Sequence, residues 1–402
     1  MIIFHSTHRA YYNNKMKFKL NRNVLVSPLT LLNSVIEKTQ TLPILSNIYF
    51  SIDNGVLTLI GSDLEVEITQ TIENVKSENG SFTVLGKKIM DIIRALPENA
   101  EISFDHDPSN HDLIVNSGKS RYKLKTLPAD NYPKLKTDDW EERFRINSKV
   151  LKETIDKVSF SMALSDHRFA LNGVSFFIEN RQLTATATDG HRLARTKIDL
   201  EVDTENERQV TIPRKAVSEI SRMIDIDYAR PDQSKEDRKK SADTSMVTFE
   251  YSRNHIRFTA PGRVLIAKLI DGKYPKFDDV LEAGEDKIML SLDRRKLIDI
   301  LSRVAVIGDD KYKGVGIRLS LADNKLKISA NTTEQQHAYD EMQVDYDGEE
   351  IQFGYNASYL QDICRVVQKD KVDVTLDNGS NICYFHQLDD EHSVWLVMPM
   401  RL

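Results

Sequence analysis

The sequence predicts an α+β chain made of three copies of one domain, each built from antiparallel sheets and two helices. Three observations predict it. The chain is 402 residues long, more than one core normally serves. One order of elements recurs three times along it. Short runs alternate polar and apolar residues with a period of two, and six longer runs carry a helical period.

Each copy opens with a strand that leads into a helix. Phe18-Lys19-Leu20 alternates and gives way to an apolar helical pattern over about Arg22–Lys38. Phe144-Arg145-Ile146 leads to Asn147, a helix-capping residue type, then to Val150, Leu151, Ile155 and Val158. Met289-Leu290-Ser291-Leu292 leads to Asp293, another capping type, then to Leu297, Ile300, Leu301 and Val304.

A hairpin follows in every copy: Ile48–Ile52 with Val56–Ile60, Val174–Ile178 with Gln182–Ala187, and Ile317–Leu321 with Lys325–Ser329. The residues between them, such as Asp53-Asn54-Gly55, are turn formers. A second strand-to-helix unit spans Phe82–Leu96, Val210–Ile224 and Ile351–Val367, and further strands complete each copy. The period is roughly 125–145 residues, an ordinary domain size. Three unrelated α+β domains are the alternative, and the matched order of elements disfavours it. The expected boundaries are 16–142, 143–282 and 283–402, preceded by a disordered extension over 1–15. The charged stretch Arg230–Ser245 is expected to be a solvated loop inside the second copy.

Composition narrows the function. Hydrophobic residues make up 40% of the chain, enough for several cores. No apolar run approaches the roughly 18 residues that span a bilayer. The first fifteen residues lack the apolar stretch and cleavage site of a signal peptide. Two cysteines, Cys364 and Cys383, are too few for a disulfide framework or a multi-cysteine zinc site. Buried thiols in a reducing cytoplasm are expected, with no cofactor and no metal.

No His-Glu-x-x-His, phosphate loop or Gly-x-Ser-x-Gly elbow is present. Asp189-Gly190-His191 comes nearest to an acid–base pair, yet a lone Asp-x-His at a strand end usually serves the turn. The formal net charge is −6. The six helices carry about seven net positive charges, which leaves about thirteen negative ones elsewhere. Basic helices on an acidic body suit phosphate contacts without base readout. Ordinary solvated helix faces, an enzyme, and a scaffold that binds only proteins stay open at this point.

Longer strings resemble a known family. Thr41-Leu42-Pro43-Ile44-Leu45-Ser46-Asn47 and Gly61-Ser62-Asp63-Leu64-Glu65 resemble the first domain of bacterial DNA polymerase III beta clamps. Ala187-Thr188-Asp189-Gly190-His191-Arg192-Leu193-Ala194 resembles their second domain, and Val397-Met398-Pro399-Met400-Arg401-Leu402 their terminus. The likeness covers about Met16 to Leu402. It implies three clamp domains with sheets outside and helices inside, and a ring-shaped head-to-tail homodimer around double-stranded DNA, without sequence preference. It implies a non-catalytic processivity factor. Its partners would be the clamp loader, the replicative polymerase and other proteins with clamp-binding motifs.

By the same resemblance, a cleft between the second and third domains accepts extended peptides. Matching positions in the second domain are Leu171, Thr188, Gly190, His191, Arg192 and Leu193, with Pro275 and Val280 near its end. The third domain would supply Tyr312, Asn356, Tyr359, Leu396 and Val397, then Met398, Pro399, Met400, Arg401 and Leu402. Leucines, valine and methionines offer adaptable apolar walls, and Arg192 and Tyr359 could fix a peptide's backbone. Asp279 stands where the family commonly has a basic residue.

The resemblance places the dimer seam on an edge strand of the first domain against one of the third. Lys119, Arg121, Lys123 and Lys125 alternate on one face, and Leu124 points the other way. Val306, Ile307, Glu334, Asp340 and Glu341 would lie opposite, while Gln336, His337 and Tyr339 replace frequent carboxylates. For DNA, the candidates are Lys38, beside Thr39 in place of a frequent arginine, with Arg94, Lys152, Arg214 and Lys215.

Overall fold

The strand-to-helix joints are made by Asx caps. Asn21 Oδ1 accepts from the N–H of Asn23, Asn147 Oδ1 from Lys149 and Asp293 Oδ1 from Lys296, each at 2.8–2.9 Å. These contacts come from a computed structural model that describes residues 15–37, 42–201, 207–228, 245–281, 283–308, 314–332 and 335–401. The expected extension lies outside them except for Lys15, and so does the expected loop except for Ser245.

Eight strands and two helices follow in each copy. The first holds β1 (Met16–Asn21), α1 (Arg22–Val35), β2 (Asn47–Asp53), β3 (Val56–Ser62), β4 (Val66–Ile72), β5 (Gly80–Leu85), α2 (Gly86–Ala95), β6 (Glu101–Asp107), β7 (Asp112–Ser117) and β8 (Ser120–Leu127). The second holds β9 (Glu142–Asn147), α3 (Ser148–Ser159), β10 (Gly173–Glu179), β11 (Gln182–Thr188), β12 (Arg192–Asp199), β13 (Arg208–Pro213), α4 (Arg214–Tyr228), β14 (Met246–Tyr251), β15 (His255–Ala260) and β16 (Arg263–Lys268). The third holds β17 (Lys287–Asp293), α5 (Arg294–Ala305), β18 (Gly316–Ala322), β19 (Lys325–Asn331), β20 (His337–Gln343), β21 (Ile351–Asn356), α6 (Ala357–Val366), β22 (Lys371–Asp377), β23 (Cys383–Gln387) and β24 (Asp390–Val397).

The hairpin turns are two residues long, one shorter than the sequence suggests. Asn54 and Gly55 both take positive φ, as do Asp323 and Asn324. That is the twist a tight hairpin needs.

Every copy has the same two four-stranded sheets, and strands of successive copies pair edge to edge. β4 pairs with β16, which links first-copy and second-copy sheets. β12 pairs with β24, which links second to third. Compactness therefore follows sheets rather than repeats. One unit holds the chain through Lys149 together with Lys215–Leu269; the other holds Val150–Arg214 and Ile270–Leu402.

The first unit has a twelve-stranded sheet, β1-β6-β7-β8-β5-β2-β3-β4-β16-β15-β14-β9. Phe18 stacks on Phe104 and Phe50 on Phe82, with ring centroids 4.6 and 5.0 Å apart, all four buried. Burial of each such ring contributes about 2–3 kcal/mol before entropy is counted. Gly61 lets α1 sit against β3, since a Cβ there would lie 2.8 Å from the Leu32 carbonyl oxygen. The second unit has an eight-stranded sheet, β13-β10-β11-β12-β24-β23-β22-β17, and a four-stranded one, β20-β19-β18-β21. Cys364 and Cys383 are free and buried, and burial pushes the Cys364 thiol up to about 12.

Candidate functional site

The turn between β11 and β12, in the second unit, is organised by two side chains. The Asp189 carboxylate accepts from the N–H of His191 at 2.9 Å, the N–H of Arg192 at 3.1 Å and Arg192 Nε at 3.1 Å. Thr188 Oγ1 accepts from the Gly190 N–H at 3.0 Å and donates to the Arg192 carbonyl at 2.6 Å. Gly190 has φ +88°, and a Cβ there would meet the Arg168 guanidinium at 2.8 Å. Asp189 is thus occupied by the turn, and the acid–base reading of Asp189 and His191 loses its base.

Arg192, which could fix a peptide's backbone, lines the cavity described below, and its three guanidinium nitrogens bond within the protein. Nη1 donates to Asp362 and Nη2 to the Phe160 carbonyl, both at 2.7 Å. The guanidinium lies 4.5 Å from the Tyr359 ring centroid and 5.3 Å from that of Phe160. It is a strut tying the turn to α6, and it places Tyr359. Asn356 caps α6 by accepting from the Ser358 N–H at 2.9 Å.

Past β24 the chain crosses this turn. Met398 N–H donates to the His191 carbonyl and Met400 N–H to that of Gly354, both at 2.8 Å. A cavity of about 600 Å³ results, lined by His191, Arg192, Tyr359, Met398, Pro399 and Met400 and by Met162, Ala163 and Leu164 of the loop after α3. Asp166, Asp189 and Asp362 stand on its lining, and Arg168 holds the Asp166 carboxyl well below the usual range.

The remaining cleft candidates divide by depth. Leu171 is buried with Ala163 and Tyr274, and Tyr274 Oη accepts from the Thr188 N–H at 3.0 Å. Leu193 and Leu396 are buried with Ile382 and Tyr384, and Val280 packs on that cluster. Val397 is buried opposite Arg192 in the β12–β24 ladder. Pro275 lines a neighbouring cavity of about 330 Å³ with Phe277 and Arg195. Arg401 is exposed and does not line the larger cavity. Tyr312 and Leu402 lie outside the described residues. The loop after α3 was missed; its signal was Leu164 and Phe169, two apolar residues in a polar loop, each 72% exposed.

The DNA candidates do not share one fate. Arg94 on α2 is exposed, with Nη2 donating to Thr30 at 2.9 Å. Lys152 is paired with Asp156 one turn on. Arg214 turns away to the Met162 and Ala163 carbonyls. Lys215 is held by Asp63 and Glu37. Lys38 and Thr39 lie outside the described residues.

For the seam, β8 pairs on one side with β7 and on the other reaches β5 only through Thr126 and Leu127. Among the described residues, Ser120–Lys125 is therefore a free edge. Lys119 lies in the preceding turn with Gly118, not on the strand as expected. Arg121, Lys123 and Lys125 keep the alternation, all exposed, and Leu124 is half-buried. Lys123 and Lys125 both reach Asp112, at 2.8 and 2.7 Å, and hold its carboxyl low. Among the described residues β20 pairs only with β19, so it too is an edge. Asp340 takes Arg303 of α5, and Glu341 takes Lys325. Val306 is 79% exposed and Ile307 half-buried. Glu334 lies outside the described residues.

Three family models match the chain: the DNA polymerase III beta subunit N-terminal domain at residues 16–136, its central domain at 145–230 and its C-terminal domain at 283–401. The chain belongs to the DNA polymerase III beta subunit family. The beta sliding clamp of Pseudomonas aeruginosa is 36% identical over 96% of this chain and all of that one. That of Escherichia coli is 34% identical with the same coverage. Among solved structures, a Pseudomonas aeruginosa sliding clamp bound to griselimycin has a TM-score of 0.87 at 35% identity, covering 97% of this chain and 100% of that one. A Bartonella birtlesii sliding clamp, also bound to griselimycin, has a TM-score of 0.87 at 27% identity with the same coverage. Membership makes the chain a DNA sliding clamp, a non-catalytic processivity factor of DNA polymerase III. Among the described residues no group of three or more His, Cys, Asp or Glu could hold a metal ion, and no helix is long and apolar enough to cross a membrane.

Proposed function

We propose that the cavity framed by His191, Tyr359, Met398 and Met400 takes a short, extended peptide from the replicative polymerase, the clamp loader and other proteins with a clamp-binding motif. The carrying observation is that the turn at 189–192 and the last residues of the chain meet around about 600 Å³, a normal size for a ligand pocket. Two methionines on its wall adapt to different side chains. Truncation of Met398–Leu402 leaves that wall open. It is expected to lower the affinity of a labelled hydrophobic peptide at least about tenfold while the dimer persists. Equal titration curves from two folded proteins would put the peptide elsewhere.

The same reading has two protomers closing head to tail, each with clamp domains at 16–142, 143–282 and 283–402. The β4–β16 and β12–β24 joints support it, since the third pair of the series, β20 and β8, is left open in one chain. The ring encircles double-stranded DNA in the cytoplasm and meets phosphates through helix cations. The exposed Lys87, Lys88 and Arg94 of α2 suit that role better than Arg214 and Lys215, which are bonded within the protein.

A further inference from the structure

The sheet of β10–β13 has two unlike faces. Phe176, Ile178, Leu183 and Ala185 are at most 1% exposed and pack into the core. The alternate positions are mostly polar. By register Thr211, Ser175, Thr186 and Arg195 form one row across β13, β10, β11 and β12, and Gln209, Phe177 and Thr184 form the next. Residues 270–278 cross this face as a strap. The Ile270 N–H donates to the Thr211 carbonyl at 2.9 Å, the Tyr274 N–H to Gln209 Oε1 at 3.2 Å, and Arg195 Nη1 to Asp278 Oδ1 at 2.8 Å. Strap and sheet enclose the cavity of about 330 Å³, which shares no lining residue with the one beside Met398.

Its two ends differ in charge. At one end stands Arg195, whose side chain is 18% exposed. Its Nε is closed to solvent and has no hydrogen-bond partner among the described residues. A buried guanidinium N–H left unpaired costs free energy, and a carboxylate is the acceptor that best fits its planar edge. Lys276 stands near Asp278 at the same end. At the other end the Glu179 and Glu207 carboxyls hydrogen-bond to each other. The Phe177, Tyr274 and Phe277 rings line the remainder. Glu179 lies four residues beyond the Arg195 row, and β10 lies two strands from β12. That sets the two Cα atoms about 16 Å apart. Both side chains reach into this gap, which leaves room for a carboxylate and a cation one side chain apart.

We propose that this cavity binds an arginine or lysine, free or at a chain end, with its α-carboxylate on the Nε edge of Arg195 and its cationic side chain at Glu179 and Glu207. The site does not depend on the peptide cleft.

Calorimetric titration of the full chain with L-arginine tests it. Saturable binding is expected, and Arg195→Lys, which keeps the charge and loses the Nε edge, should weaken it at least about tenfold. Agmatine lacks the carboxylate and L-norvaline lacks the guanidinium, so each should bind at least about tenfold more weakly than arginine. Glu179→Gln with Glu207→Gln, both exposed positions, should abolish the preference for arginine over norvaline. Truncation of Met398–Leu402 should leave the arginine titration unchanged. The peptide acetyl-Gly-Gly-Arg, with a free carboxylate and no α-ammonium, separates the sources: affinity equal to that of arginine assigns a chain end, and loss of binding assigns the free amino acid. No saturation at millimolar arginine, equal binding of arginine, agmatine and norvaline, or wild-type affinity in Arg195→Lys overturns the site. Loss of arginine binding on truncation moves the ligand to the cleft and overturns it as well.

Discussion

Arg192 lines the cavity and braces its wall. Its side chain is only 11% exposed, and it bonds Asp189, Asp362 and the Phe160 carbonyl while lying over Tyr359. Lysine keeps the charge and loses the planar fork. Arg192→Lys is therefore expected to cost about 1–2 kcal/mol of stability in urea unfolding and to weaken peptide binding, with Tyr359 no longer held. A change in binding with no change in unfolding midpoint would mean that Arg192 contacts the peptide directly. His106 gives a pH prediction. Its ring is 3% exposed, stacks on Phe82 at 4.6 Å and, among the described residues, bonds only Thr126, through Nε2 at 3.2 Å. Burial pushes this imidazole down to about 4, against a partial upward pull from Asp107. The unfolded ring titrates near 6.5. Between those values the unfolded chain binds a proton that the folded chain refuses, so stability falls as pH falls and the loss is complete below about 4. The change is up to about 3 kcal/mol, and His106→Gln should remove that part of the slope when unfolding is compared at pH 7 and 4.5. Identical slopes would show that His106 does not carry it.

Helix α2 and strand β8 show which elements can be told from residues alone. Lys87, Lys88 and Arg94 are exposed on α2, so replacing all three with Ala should weaken DNA binding equally across sequences and flatten its salt dependence. Lys152→Ala should do less, because Asp156 already neutralises it. A base preference in competition assays would count against both statements. The capped helices and the three hairpins were readable because Asn, Asp and Gly act locally, at fixed offsets from the element they start or stop. Helix ends were less so: α1 stops at Val35, short of the expected Lys38. Partners across the fold were not readable at all. Nothing near Arg214 or Lys215 in sequence announces the Met162 and Ala163 carbonyls or the Asp63 carboxylate. The cleft's turn was recognisable from its string, but Leu164, Ser165 and Asp166 reach the cavity only through the path of a loop, which has no period.

At the scale of the molecule, the triple repeat was plain in the order of elements, while the two-unit division of contacts follows from strand pairing and leaves no local trace. The expected assembly is a dimer that stays on nicked circular DNA through a salt wash and slides off once the circle is cut. Equal release from circular and linear DNA would mean surface binding without encirclement. The joints also bear on how such an assembly could fail. β8 and β20 are different edges, one basic and one not, so the proposed contact between copies would be head-to-tail, with nothing in it to count protomers. A head-to-tail contact closes into a ring only if the rotation it imposes between copies closes, and otherwise it propagates. A substitution that alters the angle at β4–β16 or β12–β24 without weakening either would therefore yield helical filaments and not free monomers. Electron microscopy of joint variants would see fibres where a binding assay reports only a lost clamp.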